Sequence, residues 1–416
     1  MPVWPFKKSG YVNGYTNNPH WQEPEFTDRH SPCGYWPVGT TSTQTLLTGG
    51  MVSASGHGGG SRMGNSPPGT VGDDLNRVYF DEITRDGLYK KIAAGSDVSF
   101  VIDTDDNMWG IGLNSEGELG IGDNLQKEEW VQIPGSWKDV SSSRHYSWTV
   151  AIKTDGTMWS AGENSKGQLA QGDSVDRNVF TQIGSQTDWN QVETGSFYFA
   201  AVKDNGSVHS CGDNQQGCLG ISGGASYDVM TATSKSSGIA SVSCGYQYTG
   251  LLGTDGKVFM AGANTRGQYG DGTQVSQTEF KEITEAGTDN VFLSCNQPGG
   301  TVWMGTTFLI KSNGTMYAAG NNEFNLMGIP DTSFKVNYSL IPGEDWLECV
   351  CQNYTTVGVK SSGEAWGVGQ NDSGNLGLGD ELPRTDFEKI GSDLWAHVEI
   401  AQLHTIMISS PGYAWG

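Results

Sequence analysis

The sequence predicts an all-β protein: a seven-bladed β-propeller, in which four-stranded sheets close into a ring. Three observations support this prediction. Glycine is abundant, with 60 residues in 416, about twice the usual share. An aromatic position recurs along most of the chain with a nearly constant spacing. Within each period, short apolar runs flank two-residue turns of the Asp-Gly type, which are the strongest local signal for β-hairpins.

The recurring aromatic position defines the repeat. The successive spacings are 50, 50, 50, 58, 49 and 49 residues. A sheet of this size cannot bury its faces alone, so neighbouring units must share a continuous core and the ring must close. The position is occupied by Trp109, Trp159, His209, Phe259, Tyr317, Trp366 and Trp415.

Each unit reads as four strands. The first contains small residues, as at 242–245, and the second is apolar, as at 149–153. The third strand carries the recurring aromatic, and the fourth has an aromatic residue three positions before an isoleucine, as in Phe180 and Ile183. The turns between the second and third strands are Asp155-Gly156, Asn205-Gly206, Asp255-Gly256 and Asn313-Gly314, with Ser362-Gly363 and Asp106-Asn107 as variants.

A Gly-rich segment joins the third strand to the fourth. Further copies of the segment begin at Gly162, Gly212, Gly262 and Gly369, and a degenerate copy begins at Gly320. We expect its glycines to allow close approach between blades, its asparagine to cap the turn and its leucine to fill the gap between blades. The first copy reads Gly112-Leu-Asn114-Ser-Glu-Gly117-Glu-Leu119-Gly120-Ile-Gly122-Asp123.

This segment resembles the GxNxxGQLGxG signature of the regulator of chromosome condensation repeat. Cys244-Gly245 also resembles the first strand of that family, and the match covers residues 51–416. The resemblance implies a propeller that binds other proteins through its faces. Family members include a nucleotide-exchange factor for a small GTPase, which binds chromatin through a basic tail. This chain has no such tail, so the resemblance does not carry the chromatin role over.

Both ends of the chain are predicted to build the closing blade. The last unit begins near residue 396, and we expect its first three strands to lie within residues 396–416. Residues 77–83 match a fourth strand and would complete the sheet. The alternative is an eighth blade, because residues 51–54 also read as a third strand. Joining the two ends would leave no open edge in the ring.

Residues 1–50 form a separate aromatic and proline-rich arm, before the propeller at residues 51–416. Such a composition without helical periodicity favours a docked segment over a flexible tail. The arm either packs on its own propeller or anchors the protein to an assembly. The anchor residues we predict are Trp4, Phe6, Tyr11, Trp21 and Phe26.

Charge and composition exclude several kinds of function. The formal charge of −22 disfavours a nucleic-acid partner, and no stretch is long and apolar enough to insert into a membrane. The seven cysteines are odd in number and include no CxxC pair, so neither a metal site nor a disulfide framework is expected. Residues 103–107 have calcium-like carboxylate spacing, but they occupy a hairpin turn. No catalytic motif is present, so we expect neither an enzyme nor a cofactor.

Two insertions suggest contact residues. The 58-residue spacing reflects an inserted loop that carries Trp303 and Met304, and a shorter insertion carries Arg144 and His145. Aromatic and methionine side chains on such loops are candidates for partner binding, although the Trp303 loop could equally plug the channel mouth.

The sequence favours a non-enzymatic protein-interaction role. The first hypothesis is a structural or attachment protein of a virion, such as a phage, or an extracellular adhesin, anchored through the arm within a larger assembly. A cell-surface receptor is a possible partner in that case. The alternative is a soluble, cytoplasmic regulator, such as a nucleotide-exchange factor or an inhibitor, that acts through one propeller face.

Overall fold

A computed structural model of the chain describes residues 51–57, 76–82, 88–296, 305–401 and 404–410. In these residues the chain forms 28 strands, arranged in seven antiparallel sheets of four. Two short 3-10 turns lie at Thr284–Ala286 and Glu323–Asn325. No helix in the described part of the chain is long and apolar enough to cross a membrane. The prediction of a seven-bladed, all-β propeller is confirmed.

The strands follow the chain from blade to blade. The first two are β1 (Val52–His57) and β2 (Asn76–Glu82). Blades 1 to 6 then take four consecutive strands each, from the channel outward. Blades 1 to 3 contain β3 (Tyr89–Ala94), β4 (Val98–Asp103), β5 (Met108–Gly112) and β6 (Lys127–Ile133); β7 (Trp137–Ser142), β8 (Trp148–Lys153), β9 (Met158–Gly162) and β10 (Arg177–Ile183); and β11 (Trp189–Thr194), β12 (Tyr198–Lys203), β13 (Val208–Asp213) and β14 (Ser226–Ala232).

Blades 4 to 6 repeat the pattern, and the last two strands of the chain belong to blade 7. The strands are β15 (Ile239–Cys244), β16 (Tyr248–Gly253), β17 (Val258–Gly262) and β18 (Gln277–Glu282); β19 (Asn290–Cys295), β20 (Thr306–Lys311), β21 (Met316–Gly320) and β22 (Lys335–Leu340); β23 (Trp346–Gln352), β24 (Thr355–Lys360), β25 (Ala365–Gly369) and β26 (Arg384–Lys389); and β27 (Trp395–Ile400) and β28 (His404–Ser409).

Blade 7 closes the ring with strands from both ends of the chain, as predicted. Its order is β2-β1-β28-β27, so each end supplies two strands. The expectation that residues 396–416 supply three strands is wrong, because β1 pairs directly with β28 and holds the third position. Val52 and Ala54 of β1 are fully buried with Ile406 and Ile408 of β28. Residues 51–54 therefore complete the seventh blade, and the described residues form no eighth.

The core is continuous from blade to blade. Several inner strands begin with a buried tryptophan, such as Trp137 and Trp189. The Trp137 ring lies 5.1 Å from the Phe180 ring of the outer strand, and one apolar cluster joins Phe100 of blade 1 to Val140 of blade 2. Burial between neighbours stabilises both blades, as expected for a repeat ring.

The recurring aromatic position lies on the third strand and supports a lysine at the end of the second. Lys153 Nζ lies 3.7 Å from the centre of the Trp159 ring, and Lys360 Nζ lies 4.9 Å from that of Trp366. Cations over such rings are attracted by the ring quadrupole. The period that predicts the fold therefore marks a stacking position near the hairpin turns.

Candidate functional site

The antiparallel blades present two different faces. The connections between first and second strands and the Gly-rich segments between third and fourth strands emerge together, on what we call the loop face. The Asp-Gly turns and the connections between blades emerge on the opposite side, the hairpin face. A backbone bond from Leu113 N–H to the Asp97 carbonyl, at 2.9 Å, joins the two kinds of connection on the loop face.

Each Gly-rich segment is folded around its asparagine. In blade 1, the Asn114 side-chain carbonyl accepts a bond from Leu119 N–H at 2.9 Å, and its amide donates to the Asp123 carbonyl at 2.8 Å. Leu119 is fully buried. The predicted roles of the asparagine and leucine are confirmed. The same carbonyl contact is made by Asn164, Asn214, Asn264, Asn322 and Asn371.

The glycines let the segment lie against the outer strand of the next blade. Gly122 N–H donates to the Asn178 carbonyl at 2.7 Å. At Gly120, which has a φ of +65°, a Cβ atom would lie 2.3 Å from the Phe180 ring. Glycine is required here both by the left-handed backbone and by this approach. Each such segment therefore packs against the next blade. It covers part of the edge that the outer strand of that blade would otherwise expose.

Beyond the glycines, the segment presents an apolar side chain to solvent. The Asp123 carboxylate accepts a bond from Leu125 N–H at 3.0 Å and pairs with Lys127 at 2.8 Å. Blades 2 and 6 have the same Asp–apolar–base frame, in which Asp173 holds Val175 and Asp380 holds Leu382. The exposed residues are Leu125 at 67%, Val175 at 60%, Val275 at 60% and Leu382 at 64%.

Charged side chains from the inner strands line the central channel. Lys91 pairs with Asp139 at 3.0 Å, and His397 pairs with Glu348 at 2.7 Å. Burial alone would lower the pKa of Lys91, but Asp139 and nearby glutamates outweigh it and raise the pKa. For His397, too, burial is outweighed, here by Glu348, and the pKa is raised. Each pair joins two adjacent blades.

The described part of the channel also contains the carboxylate of Glu193, in addition to those of Asp139, Glu348 and Glu399. It borders a cavity of about 30 Å³ that Arg144, Glu348, His397 and Glu399 also line, which is room for a water molecule or two. Burial raises the pKa of Glu193 from 4.5 to about 7. The site is suited to holding a proton and ordered water.

The structure places the predicted contact residues Arg144 and His145 at this channel. Arg144 reaches Glu399 of blade 7 at 2.6 Å, and a His145 ring nitrogen lies 3.2 Å from the Gln352 amide of blade 6. Both side chains thus bridge blades within the chain, and their role in partner binding stays a prediction. Trp303, Met304 and the anchor residues Trp4, Phe6, Tyr11, Trp21 and Phe26 lie outside the described residues.

The channel charges were missed by sequence reasoning, although a signal was present. The inner strands place charged residues at alternate positions of otherwise apolar runs, as with His397 and Glu399 in Trp395–Ile400. Such alternation identifies the side chains that face the channel. The calcium-like turn is explained by the hairpin, because Asp103 accepts bonds from the backbone N–H groups of Asp105 and Asn107. In the described residues, no group of three His, Cys, Asp or Glu side chains is placed to hold a metal.

Solved structures with this fold identify its architecture. The chain aligns with human WBSCR16 at 16% identity and a TM-score of 0.74, covering 87% of this chain and 99% of that one. It aligns with Prp20p of Saccharomyces cerevisiae, described with its binding properties to Gsp1p and histones, at 15% identity and a TM-score of 0.75, covering 88% and 92%. Yeast RCC1 (Prp20) in complex with Kap60 aligns at 14% identity and a TM-score of 0.74, covering 95% and 97%.

These identities establish the fold alone. The chain has the RCC1-like seven-bladed propeller fold that its Gly-rich segments predict. No protein-family model and no curated protein matches the sequence.

Proposed function

We propose that this chain is a non-enzymatic protein-interaction propeller that binds a partner protein through its loop face. The observation that carries this proposal is the exposed aliphatic residue that four Gly-rich segments present at the same position. An exposed leucine or valine favours burial, and a partner surface can supply it.

The frame around Leu125, Val175 and Leu382 makes these three residues suitable anchors. The backbone at Leu125 is held by the Asp123 carboxylate, and Asp123 is itself held by Asn114 and Lys127. A side chain whose backbone is already ordered loses less conformational entropy on binding. The segment is therefore prepared for a contact before a partner arrives.

The solved neighbours support a regulator more than a structural component. Prp20p is described with its binding to Gsp1p and histones, and yeast RCC1 (Prp20) is described in complex with Kap60. By this analogy, the chain acts as a soluble regulator, with a role such as nucleotide exchange or inhibition. The virion or attachment role through residues 1–50 stays a prediction, to which the comparisons give no support.

Replacement of the four aliphatic residues by serine tests the proposal. Full-length protein and the quadruple variant of Leu125, Val175, Val275 and Leu382 are used as baits in an extract of the native source, with quantitative mass spectrometry. We expect the variant to recover at least ten-fold less of a specific partner than the full-length protein recovers. A matched control replaces Leu88 and Leu340, which are 49% and 58% exposed at the hairpin-face ends of their blades.

The control separates the two faces. Loss of the same partner from the hairpin-face control, with retention by the quadruple variant, would contradict binding through the loop face. Both variants should keep the thermal transition of the parent, because the replaced side chains are exposed. A bait lacking residues 1–50 tests the anchor: a partner lost only from that bait would favour the attachment hypothesis.

A further inference from the structure

The outer strands of blades 2 and 3 depart from the repeat at one exposed position. The equivalent residues are Glu129, Val179, Val229, Glu279, Asn337 and Asp386, and all six are exposed. Val179 and Val229 are 53% and 50% exposed. The fold therefore accepts a polar or acidic side chain here, and two neighbouring blades carry valine instead.

The two valines lie against the Gly-rich segments that present Leu125 and Val175. Ile121 of the preceding Gly-rich segment pairs with Val179 in an antiparallel bridge. Gly172 of the next Gly-rich segment lies against Val229. A Cβ atom placed on this glycine would be 3.7 Å from a methyl carbon of the valine. We call the surface formed by Ile121, Leu125, Val175, Val179 and Val229 the valine patch.

The surroundings of the valine patch are acidic. The three stretches 121–129, 171–179 and 221–229 contain six acidic and two basic residues, so their net charge is 2 − 6 = −4. Both basic residues are paired: Lys127 with Asp123 at 2.8 Å and Arg177 with Asp173 at 2.7 Å. The exposed carboxylates left around the patch are those of Glu128, Glu129, Asp176 and Asp228.

We propose that the valine patch is the docking surface for a partner protein whose contact region has an aliphatic centre and a rim of lysine or arginine. This inference rests on the proposed function and identifies the part of the loop face that is used. An apolar centre within a charged rim is the usual anatomy of a protein interface. A second copy of this chain fits poorly, because it would bring a second acidic rim, in a chain of charge −22, against the first.

Site-specific photo-cross-linking in the full chain tests the inference. The photo-reactive residue p-benzoylphenylalanine is placed at 179 or 229 and, as matched controls, at the equivalent positions 279 or 337. Each protein is irradiated in an extract of its native source, and the joined peptides are sequenced. We expect at least ten-fold more adduct at 179 and 229, on one partner, within a peptide that contains lysine or arginine beside aliphatic residues.

A second pair of variants uses residues that the fold already accepts. Val179→Glu and Val229→Glu introduce the residue that positions 129 and 279 already carry in their blades. Each variant should therefore have the same Tm as the parent. Together they should reduce the adduct formed through a cross-linker at Leu125 at least ten-fold, whereas Asn337→Glu should leave it unchanged.

The outcomes separate this inference from the proposed function. Equal or stronger adducts at 279 and 337, or at other loop-face positions only, would overturn the valine patch and leave loop-face binding intact. Adducts to this chain itself, or to a peptide without basic residues, would overturn the partner chemistry. An absence of adducts at every loop-face position would overturn both proposals.

Discussion

Ala170 and Met230 form an exception that explains how tightly the blades fit. In blades 1, 3, 4 and 5 the equivalent of residue 170 is a glycine against an aromatic ring, as with Gly120 and Phe180. Ala170 keeps the left-handed backbone, with a φ of +57°. Its methyl group is accommodated because the facing residue is the flexible Met230, which packs against the same cluster.

The pair predicts the effect of adding a methyl group elsewhere. Gly120→Ala should lower the free energy of unfolding by about 2–4 kcal/mol, from left-handed strain and overlap with Phe180. Adding Phe180→Met should recover at least about 1 kcal/mol, because methionine can move aside. Urea unfolding of the four members of this cycle measures the coupling, and additive effects would show that the ring and the glycine do not interact.

Local roles were predictable from sequence, and distant pairings were not. Asn114 and Leu119 act within their own segment, so the residue pattern shows what they do. Arg144 binds Glu399, which is 255 residues away, and only the closed ring brings them together. The inserted position of Arg144 was visible, but its partner was not.

The Gly-rich segment behaves as one hydrogen-bonded element. Asn164 accepts from Leu169 N–H at 2.9 Å and donates to the carbonyls of Asp173 and Val175. Its side chain is fully buried, so its loss would leave these groups without their partner. The arrangement holds the segment in the shape that presents Val175.

Asn164→Ala should therefore lower the free energy of unfolding by about 2–3 kcal/mol, since buried backbone groups would lose their hydrogen bonds. Amide hydrogen exchange should rise at Leu169 in particular. The control is Asn178→Ala, because Asn178 is exposed and donates to the Asn124 side chain. If Asn178→Ala lowered the free energy of unfolding as much as Asn164→Ala does, the buried hydrogen bonds of Asn164 would not be the cause of the loss.

Strand positions were predictable for the six continuous blades, and the closing blade shows the limit. The spacing places an aromatic at 415, which suggested a third strand from the C-terminal end. A period locates strands along the chain but does not say which end pairs with β28. That choice follows from burial of Val52 and Ala54 beside Ile406, a contact between opposite ends of the sequence.

The channel makes the stability of the whole ring depend on pH. Burial raises the pKa of Glu193 from 4.5 to about 7, so the folded ring keeps a proton that the unfolded chain releases above pH 4.5. The unfolding free energy should then fall as the pH rises from about 4.5 to 7. His397, whose pKa is raised, acts in the same direction: its contribution is present below pH 6.5 and is lost as the pH rises through the folded pKa.

Glu193→Gln should flatten this dependence. At pH 8 the variant should be more stable than the parent by about 2 kcal/mol, and near pH 5 the two should agree. Burial also raises the pKa of Glu118 to about 7, so the comparison is made in a Glu118→Gln background. Chemical denaturation from pH 5 to 8 gives the result, and parallel curves for the two proteins would contradict a titrating Glu193.

Closure of the ring should depend on the N-terminal strands but not on the arm. Deletion of residues 1–82 removes β1 and β2 and exposes Ile406 and Ile408, so we expect a loss of cooperative unfolding or a large drop in Tm. Deletion of residues 1–50 spares both strands and should leave the Tm within a few degrees. Calorimetry of both deletions checks this, and a stable ring without β1 would contradict it.

The bond from Met51 N–H to the Ser409 hydroxyl spans 358 residues. A ribosome adding about 5–20 residues per second needs roughly 20–70 s to make that interval. During this time β1 and β2 have no β28 to pair with, although the blades between can form as they emerge. Completion of the ring is therefore a late step, and the nascent N-terminal strands are the part of the ring that a chaperone would be expected to protect.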